Sequence, residues 1–189
     1  SNANYLQRSK QETLVLSGSN IIYNAKLDEV VQYHLDSGAD ITMLYTKDQS
    51  IKRDEYGSYI TVTEDGKVTD MEVEPTHPSL EGCFMDVLVM SRELLLKLVD
   101  RGVAHGLHAM SKDILMPMIS EKQMNIKAYE YKGLCWRIDS IQSYFRFNMD
   151  VLDTEKRNGI FRQDLPVYAK VRDEMPAYYA NGSHVTNSL

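Results

Sequence analysis

The chain has 189 residues, which leaves room for one α/β domain and a small appendage but not for two full domains. Hydrophobic residues make up 43% and charged residues 25% of it, ordinary globular proportions that exclude wholesale disorder and fibrous repeats. With 21 Lys and Arg against 27 Asp and Glu, the formal charge of -6 sets up no global field toward nucleic acid or anionic lipid.

Ser1-Asn2-Ala3 has the form of the remnant left when an expression tag is cut away, so residue 4 is read as lying within a longer protein. Thr13 to Leu16 is a short apolar, β-rich run ended by Ser17-Gly18-Ser19-Asn20, the pattern of a buried parallel strand emptying into a loop. Ligand-binding loops in α/β sheets often sit at such a place. From Asp28 the positions Val30, Val31, Tyr33, His34 and Leu35 fit a helix closed by Gly38, and Ile41 to Leu44 follows as a strand, completing a β-α-β unit.

Tyr59 to Val62 and Val68 to Val73 flank Glu64-Asp65-Gly66-Lys67, whose Asp-Gly pair predicts a hairpin. A polar loop, Glu74-Pro75-Thr76-His77-Pro78, comes next. Met85 to Met90 reads as a strand, and Ser91 as the cap of an amphipathic helix carrying Leu94, Leu95, Leu98 and Val99 before Gly102. Lys112 to Ile119 predicts a short helix bent or started near Pro117. Ile126 to Tyr131 and Leu134 to Ile138 are strand candidates, and Ser140 opens a helix through Ile141, Tyr144, Phe145, Met149 and Leu152. Beyond Thr154, Pro166, Pro176 and Gly182 punctuate a Tyr-rich stretch suited to an extended linker, and Val185 to Leu189 reads as one last strand.

Several chemistries find no support. There is no G-x-G-x-x-G, no G-x-x-x-x-G-K-[ST] and no G-x-S-x-G, so dinucleotide, P-loop and hydrolase-elbow readings fall away. His105, His108 and Asp113 fit a polar loop better than a metal site, and the ten methionines fit core filling better than cofactor contact. Lys52-Arg53-Asp54-Glu55 mixes signs as a solvated loop does. Cys83 and Cys135 stand too far apart in sequence for a redox or zinc-knuckle motif, and no apolar run approaches membrane-spanning length; a cytoplasmic protein with reduced thiols is expected.

The informative feature is a set of four ordered segments. Leu14-Val15-Leu16-Ser17-Gly18, then His34 with Gly38-Ala39-Asp40, then Glu74-Pro75-Thr76-His77-Pro78, and finally Ser140-Ile141-Gln142-Ser143-Tyr144 with Asn148-Met149-Asp150 resemble the glucose-1-phosphate adenylyltransferases, or ADP-glucose pyrophosphorylases. Each segment alone is weak; their order and spacing make the likeness specific and oppose a chance match in an unrelated α/β protein. The resemblance implies a Rossmann-like nucleotidyltransferase sheet flanked by helices over residues 4–154, with its amino-terminal part and Gly-rich triphosphate loop missing. It also makes 155–189 a linker into a left-handed β-helix that is itself absent.

Family members join glucose-1-phosphate to ATP, releasing pyrophosphate and giving ADP-glucose for glycogen or starch. The resemblance implies Mg²⁺ between two aspartates and a lysine against the sugar phosphate. This chain departs from that pattern at each point. Ser19-Asn20 stand where the family has a metal-binding Asp followed by His, Val73-Glu74-Pro75 replace Glu-Lys-Pro, and the second metal-binding Asp falls on Arg137. At about 5 Å and an effective dielectric of about 20, a guanidinium and Mg²⁺ repel by roughly 6 to 7 kcal/mol, and Glu74 opposes a sugar phosphate by a similar order.

No intact catalytic residue and no bound metal or cofactor are therefore expected of this chain. The pattern resembles the GlgD-type subunit class, whose members associate with a catalytic GlgC-type subunit in a hetero-oligomer and tune it. Two other readings stay open. One is an active nucleotidyltransferase whose ligands have moved to Asp139 or Asp86; the other is a degenerate pocket that senses a sugar phosphate or nucleotide. Loss of the amino-terminal strands is further expected to bare an apolar sheet edge through which the chain self-associates.

Overall fold

In the computed structural model, which describes residues 3–48, 57–122, 124–168, 182–184 and 186, one long strand organises the rest. The elements run α1 (Ala3–Arg8), β1 (Thr13–Ser17), β2 (Ile21–Tyr23), α2 (Leu27–Ser37), β3 (Ile41–Thr46), β4 (Ser58–Val62), β5 (Val68–Val73), β6 (Gly82–Ser91) and α3 (Arg92–His105). A π-helical turn (Met110–Leu115) leads into α4 (Met116–Ser120), followed by β7 (Ile126–Glu130), β8 (Cys135–Arg137), α5 (Ile141–Asp150) and α6 (Thr154–Ile160).

The ten residues of β6 are long enough to take three neighbours. The main sheet has the order β5-β4-β6-β3-β7, with β1 also beside β6, on its carboxy-terminal half. Between Leu44↔Val87 and Tyr45↔Phe84, Met85 and Asp86 have no counterpart on β3, so β6 carries a two-residue bulge with Asp86 at φ 52. Because two residues are inserted, the alternation of faces survives it. Phe84, Leu88 and Met90 enter one core with Ile41, Met43, Leu95 and Leu98. Cys83, Met85, Val87 and Val89 enter a second core on the opposite face, with Val30, Tyr59 and Cys135. Burial on both faces explains why β6 is apolar from Cys83 to Met90 except at Asp86, the bulge residue.

The α/β expectation holds, but the strand directions need correction. β1 and β3 do run the same way, as a β-α-β unit requires, yet β6 lies between them and is antiparallel to both. The only parallel ladder among the described residues is β3 with β7. Strand β1 is also not the buried strand expected: its residues are half-buried or exposed, with Val15 exposed. Composition marks an apolar strand without stating its depth in the sheet or its partner's direction.

Local chemistry sets most boundaries. Gly38 closes α2 in the left-handed region, and the Ser91 hydroxyl accepts the Leu94 N–H at the start of α3, both as expected. Helix α3 passes Gly102, however, and continues to His105. The Asp113 carboxylate accepts the N–H groups of His108 and Ala109, so the His105 to Asp113 stretch is a polar connection, and among the described residues no group of three or more His, Cys, Asp or Glu could hold a metal. Five methionines, Met43, Met71, Met85, Met90 and Met118, are core residues. The segment beyond Thr154 opens as helix α6, capped by Asp153 and with Ile160 buried, in place of the extended chain expected there. Helices α1 and α6 and strand β2 carry too few residues to announce themselves by periodicity. The expectations for Lys52 to Glu55 and for a strand at Val185 to Leu189 lie outside the described residues, Thr186 excepted.

The predicted hairpin turns at Thr63 to Gly66, with Gly66 at φ 78, a conformation open to glycine. Its tip reaches across to β7: the Ala128 N–H donates to the Gly66 carbonyl, and Lys127 Nζ donates to the Asp65 carbonyl and pairs with its carboxylate at 3.0 Å. The Thr63 hydroxyl, then Lys127, hold the Asp65 carboxyl down at about 2. A depressed carboxyl contributes stability above its unfolded pKa and loses it as pH falls toward the folded one. The stability difference between the wild type and Asp65→Asn, followed by urea midpoints, should therefore be present at pH 6 and vanish as pH falls from about 4 to about 2.

Candidate functional site

The expected site residues meet where the bulge in β6 approaches the loop after β1 and the ribbon β2–β8. β2 and β8 form a separate two-stranded antiparallel sheet in which Ile21 pairs with Arg137. The Gly18 N–H donates to the Asp86 carbonyl at 2.8 Å, and the Ile138 N–H to the Asn20 carbonyl at 2.7 Å, fixing the Ser17-Gly18-Ser19-Asn20 loop from both sides. A Cβ on Gly18 would stand 3.0 Å from the Asp86 Cβ and 3.1 Å from Asn20 Oδ1, so Asp86 and Asn20 meet at this glycine.

Arg137 is buried, 7% exposed, and its guanidinium turns into the body of the protein. Nη2 donates to the Cys83 sulfur at 3.1 Å and to the Phe84 carbonyl at 3.3 Å, both on β6. The buried Tyr59 adds a side-chain hydrogen bond. Gly57 covers the group so closely that a Cβ there would lie 2.3 Å from Nη1. Burial works against the charge on Arg137, but Cys83, Tyr59 and Asp86 together hold its pKa above the ordinary arginine value. Burial pushes the Asp86 carboxyl above its ordinary range, and the Arg137 charge pulls against that rise. Burial likewise drives the Cys135 thiol up to about 12, so this cysteine is an inert core residue.

The expected site residues divide accordingly. Asn20, Asp86 and Arg137 converge, and Ser19 lies on the exposed rim of the same loop. Glu74 joins them by its backbone alone: at φ 49 it donates its N–H to the Gly57 carbonyl, while the residue itself is exposed. Val73 packs against the main core. Asp139 is exposed at the head of α5, with its N–H on Ser143 Oγ. Gly57, Tyr59, Cys83 and the Phe84 carbonyl surround the guanidinium and were missed, because nothing in their sequence context marks them.

These residues do not fit a divalent cation. Mg²⁺ asks for an octahedral set of oxygens with carboxylate among them, whereas Asp86 is the one carboxylate of the convergent group and its electrostatic partner is already a guanidinium. The arrangement is that of a buried, fixed positive charge packed against β6.

Mixed strand directions, a bulged central strand and flanking helices define a mixed α/β domain whose expected site residues gather at that bulge. The family model described as nucleotidyl transferase matches residues 1–154, and the chain belongs to that family. It is similar to the glucose-1-phosphate adenylyltransferase of Bacillus subtilis (strain 168), at 26% identity over 192 residues covering 100% of this chain and 50% of the relative. It is similar also to the glucose-1-phosphate adenylyltransferase of Lachnospira eligens, at 26% over 194 residues and 44% of the relative. The glycogen biosynthesis protein GlgD of Bacillus subtilis (strain 168) is 25% identical over 189 residues, covering 98% of this chain and 43% of the relative. The chain spans about half the length of the curated relatives it matches. These matches bear out the resemblance read from the four ordered segments. Among the described residues no helix is long and apolar enough to cross a membrane.

Arg137→Ala removes the charge facing Asp86 and the donor serving Cys83 and Phe84. It should lower stability to urea by about 3 kcal/mol, as expected when one partner of a buried charged group is deleted. A loss under about 0.5 kcal/mol would mean that the guanidinium contributes nothing to the fold.

Proposed function

We propose that this chain is the nucleotidyltransferase part of a GlgD-type subunit of glucose-1-phosphate adenylyltransferase, one that forms no ADP-glucose itself and acts by modulating a catalytic GlgC-type partner in bacterial glycogen synthesis. The observation that carries this reading is the buried Arg137 guanidinium beside Asp86. Transfer of an adenylyl group to glucose-1-phosphate needs stabilisation of charge developing on the α-phosphate and room for an in-line approach of the sugar phosphate. Here the positive charge is turned inward onto β6 and covered by Gly57, where it meets no phosphate oxygen. Glu74 stands where the family resemblance calls for a lysine, so that position offers a phosphoester no positive charge. The likeness to GlgD alongside the adenylyltransferases supports the same reading.

The test is kinetic. The complete protein assayed alone should give no ADP-glucose, and adding it to a GlgC-type subunit should change that partner's turnover or its response to effectors. Turnover by the complete protein alone at the rate of an active pyrophosphorylase would overturn the proposal and favour relocated ligands. Among the described residues β1 has β6 as its only strand partner, and Val15 is exposed. On this reading the 189-residue chain self-associates through that edge. Light scattering should show mass rising with concentration, and a monomer at high concentration would contradict it.

A further inference from the structure

Strand β8 is three residues long and, among the described residues, pairs with β2 alone, apart from the main sheet. A two-stranded ribbon of this size has little stability of its own, so its place is set by what its two faces touch. On the inner face Cys135 and Arg137 are buried, and Arg137 reaches β6. Trp136, between them, points to the opposite face, as alternation along a strand requires.

There the indole Nε1–H donates to Asp150 Oδ2 at 2.9 Å, and the ring stands edge-on to Phe147 with centroids 5.4 Å apart. Both partners belong to α5. The other Asp150 oxygen pairs with Lys156 of α6, and this ammonium, followed by the Trp136 N–H, lowers the Asp150 pKa. The second strand of the ribbon is tied to the same region, since Asn24 Nδ2 donates to the carbonyls of Ile160 and Leu165 at 2.7 and 2.8 Å. One carboxylate thus joins the end of α5, the start of α6 and the outer face of the ribbon whose inner face places Arg137.

We propose that Asp150 is a positioning residue for Arg137: through the Trp136 indole it fixes the β2–β8 ribbon, and with it the seat of the guanidinium on β6, so that a displacement of α5 is passed to Arg137 and its partners. This coupling is independent of whether the complete protein turns over substrate. It makes α5 the lever and β8 the link to Arg137, with no other element needed between them.

The 189-residue chain provides its own reporters. Trp136 is its only tryptophan, and its only cysteines, Cys83 and Cys135, are buried free thiols beside Arg137. In Asp150→Asn, Trp136 emission should shift and the rate of thiol labelling by dithiobis(nitrobenzoate) should rise about tenfold through local opening of the ribbon. Leu98→Ala, in the core on the other face of the sheet, serves as a control for general destabilisation; its labelling rate should stay within about twofold of wild type. Trp136→Phe, which deletes the N–H donor and keeps an aromatic ring, should accelerate labelling like Asp150→Asn and decides the matter if the latter fails to fold. Labelling that is unchanged in the Asp150 or Trp136 variant, or accelerated equally in Leu98→Ala, would overturn the proposal.

Discussion

A guanidinium cannot be dehydrated inside a protein unless acceptors and an opposing charge are built around it. Arg137 is such a group, and much of the surrounding architecture answers to it. The bulge in β6 brings the Phe84 carbonyl, the Cys83 sulfur and Asp86 to one place, Gly57 lies over the planar group without a side chain, and Tyr59 closes the remaining side. Hydrogen bonds to charged groups contribute about 1.5 to 3 kcal/mol each. The arginine therefore acts as a rivet between the β2–β8 ribbon and the main sheet.

That rivet also decides the character of the site around Asp86. The positive charge here is fixed, held by the Cys83 sulfur, the Phe84 carbonyl, the Tyr59 side chain and the Asp86 charge. The neighbouring loop, Ser17 to Asn20, is tied on both sides by backbone hydrogen bonds and presents neutral side chains. On the outer face of the same ribbon, Trp136 is held by α5. A single three-residue strand thus carries the buried charge on one side and its mechanical attachment on the other. Helix α5 is otherwise lightly covered: Ile141 is 84% and Phe145 64% exposed, so the sequence reads an amphipathic helix whose apolar side faces water in this chain.

Much of the fold was legible where local chemistry acts alone. The Asp65-Gly66 turn, the Ser91 and Ser140 caps and the Gly38 stop each follow from hydrogen-bonding groups within a few residues of one another. The long strand could be read because both faces of it are buried. What was missed has too little sequence to show a period: the three residues of β2, and the short helices α1 and α6. The extension of α3 beyond Gly102 was missed because that glycine is an interior residue of the helix, while Gly106 stops it. At the site, the departures at Ser19, Glu74 and Arg137 were visible by comparison with the family pattern. Their consequences were not, since Arg137 was expected to face an open pocket and is found buried in the wall.

The sequence by itself determined which residue types occupy the site, where the principal strands and helices lie, and to which family the chain belongs, because these rest on composition, short-range capping and the order of motifs. Only the tertiary structure decided that β6 stands antiparallel between β1 and β3, that two bulged residues bring Asp86 under Gly18, and that one ribbon joins Arg137 to Asp150. Strand direction, and contacts between elements distant in sequence, depend on how the chain closes its long-range hydrogen bonds, which no local pattern of side chains specifies.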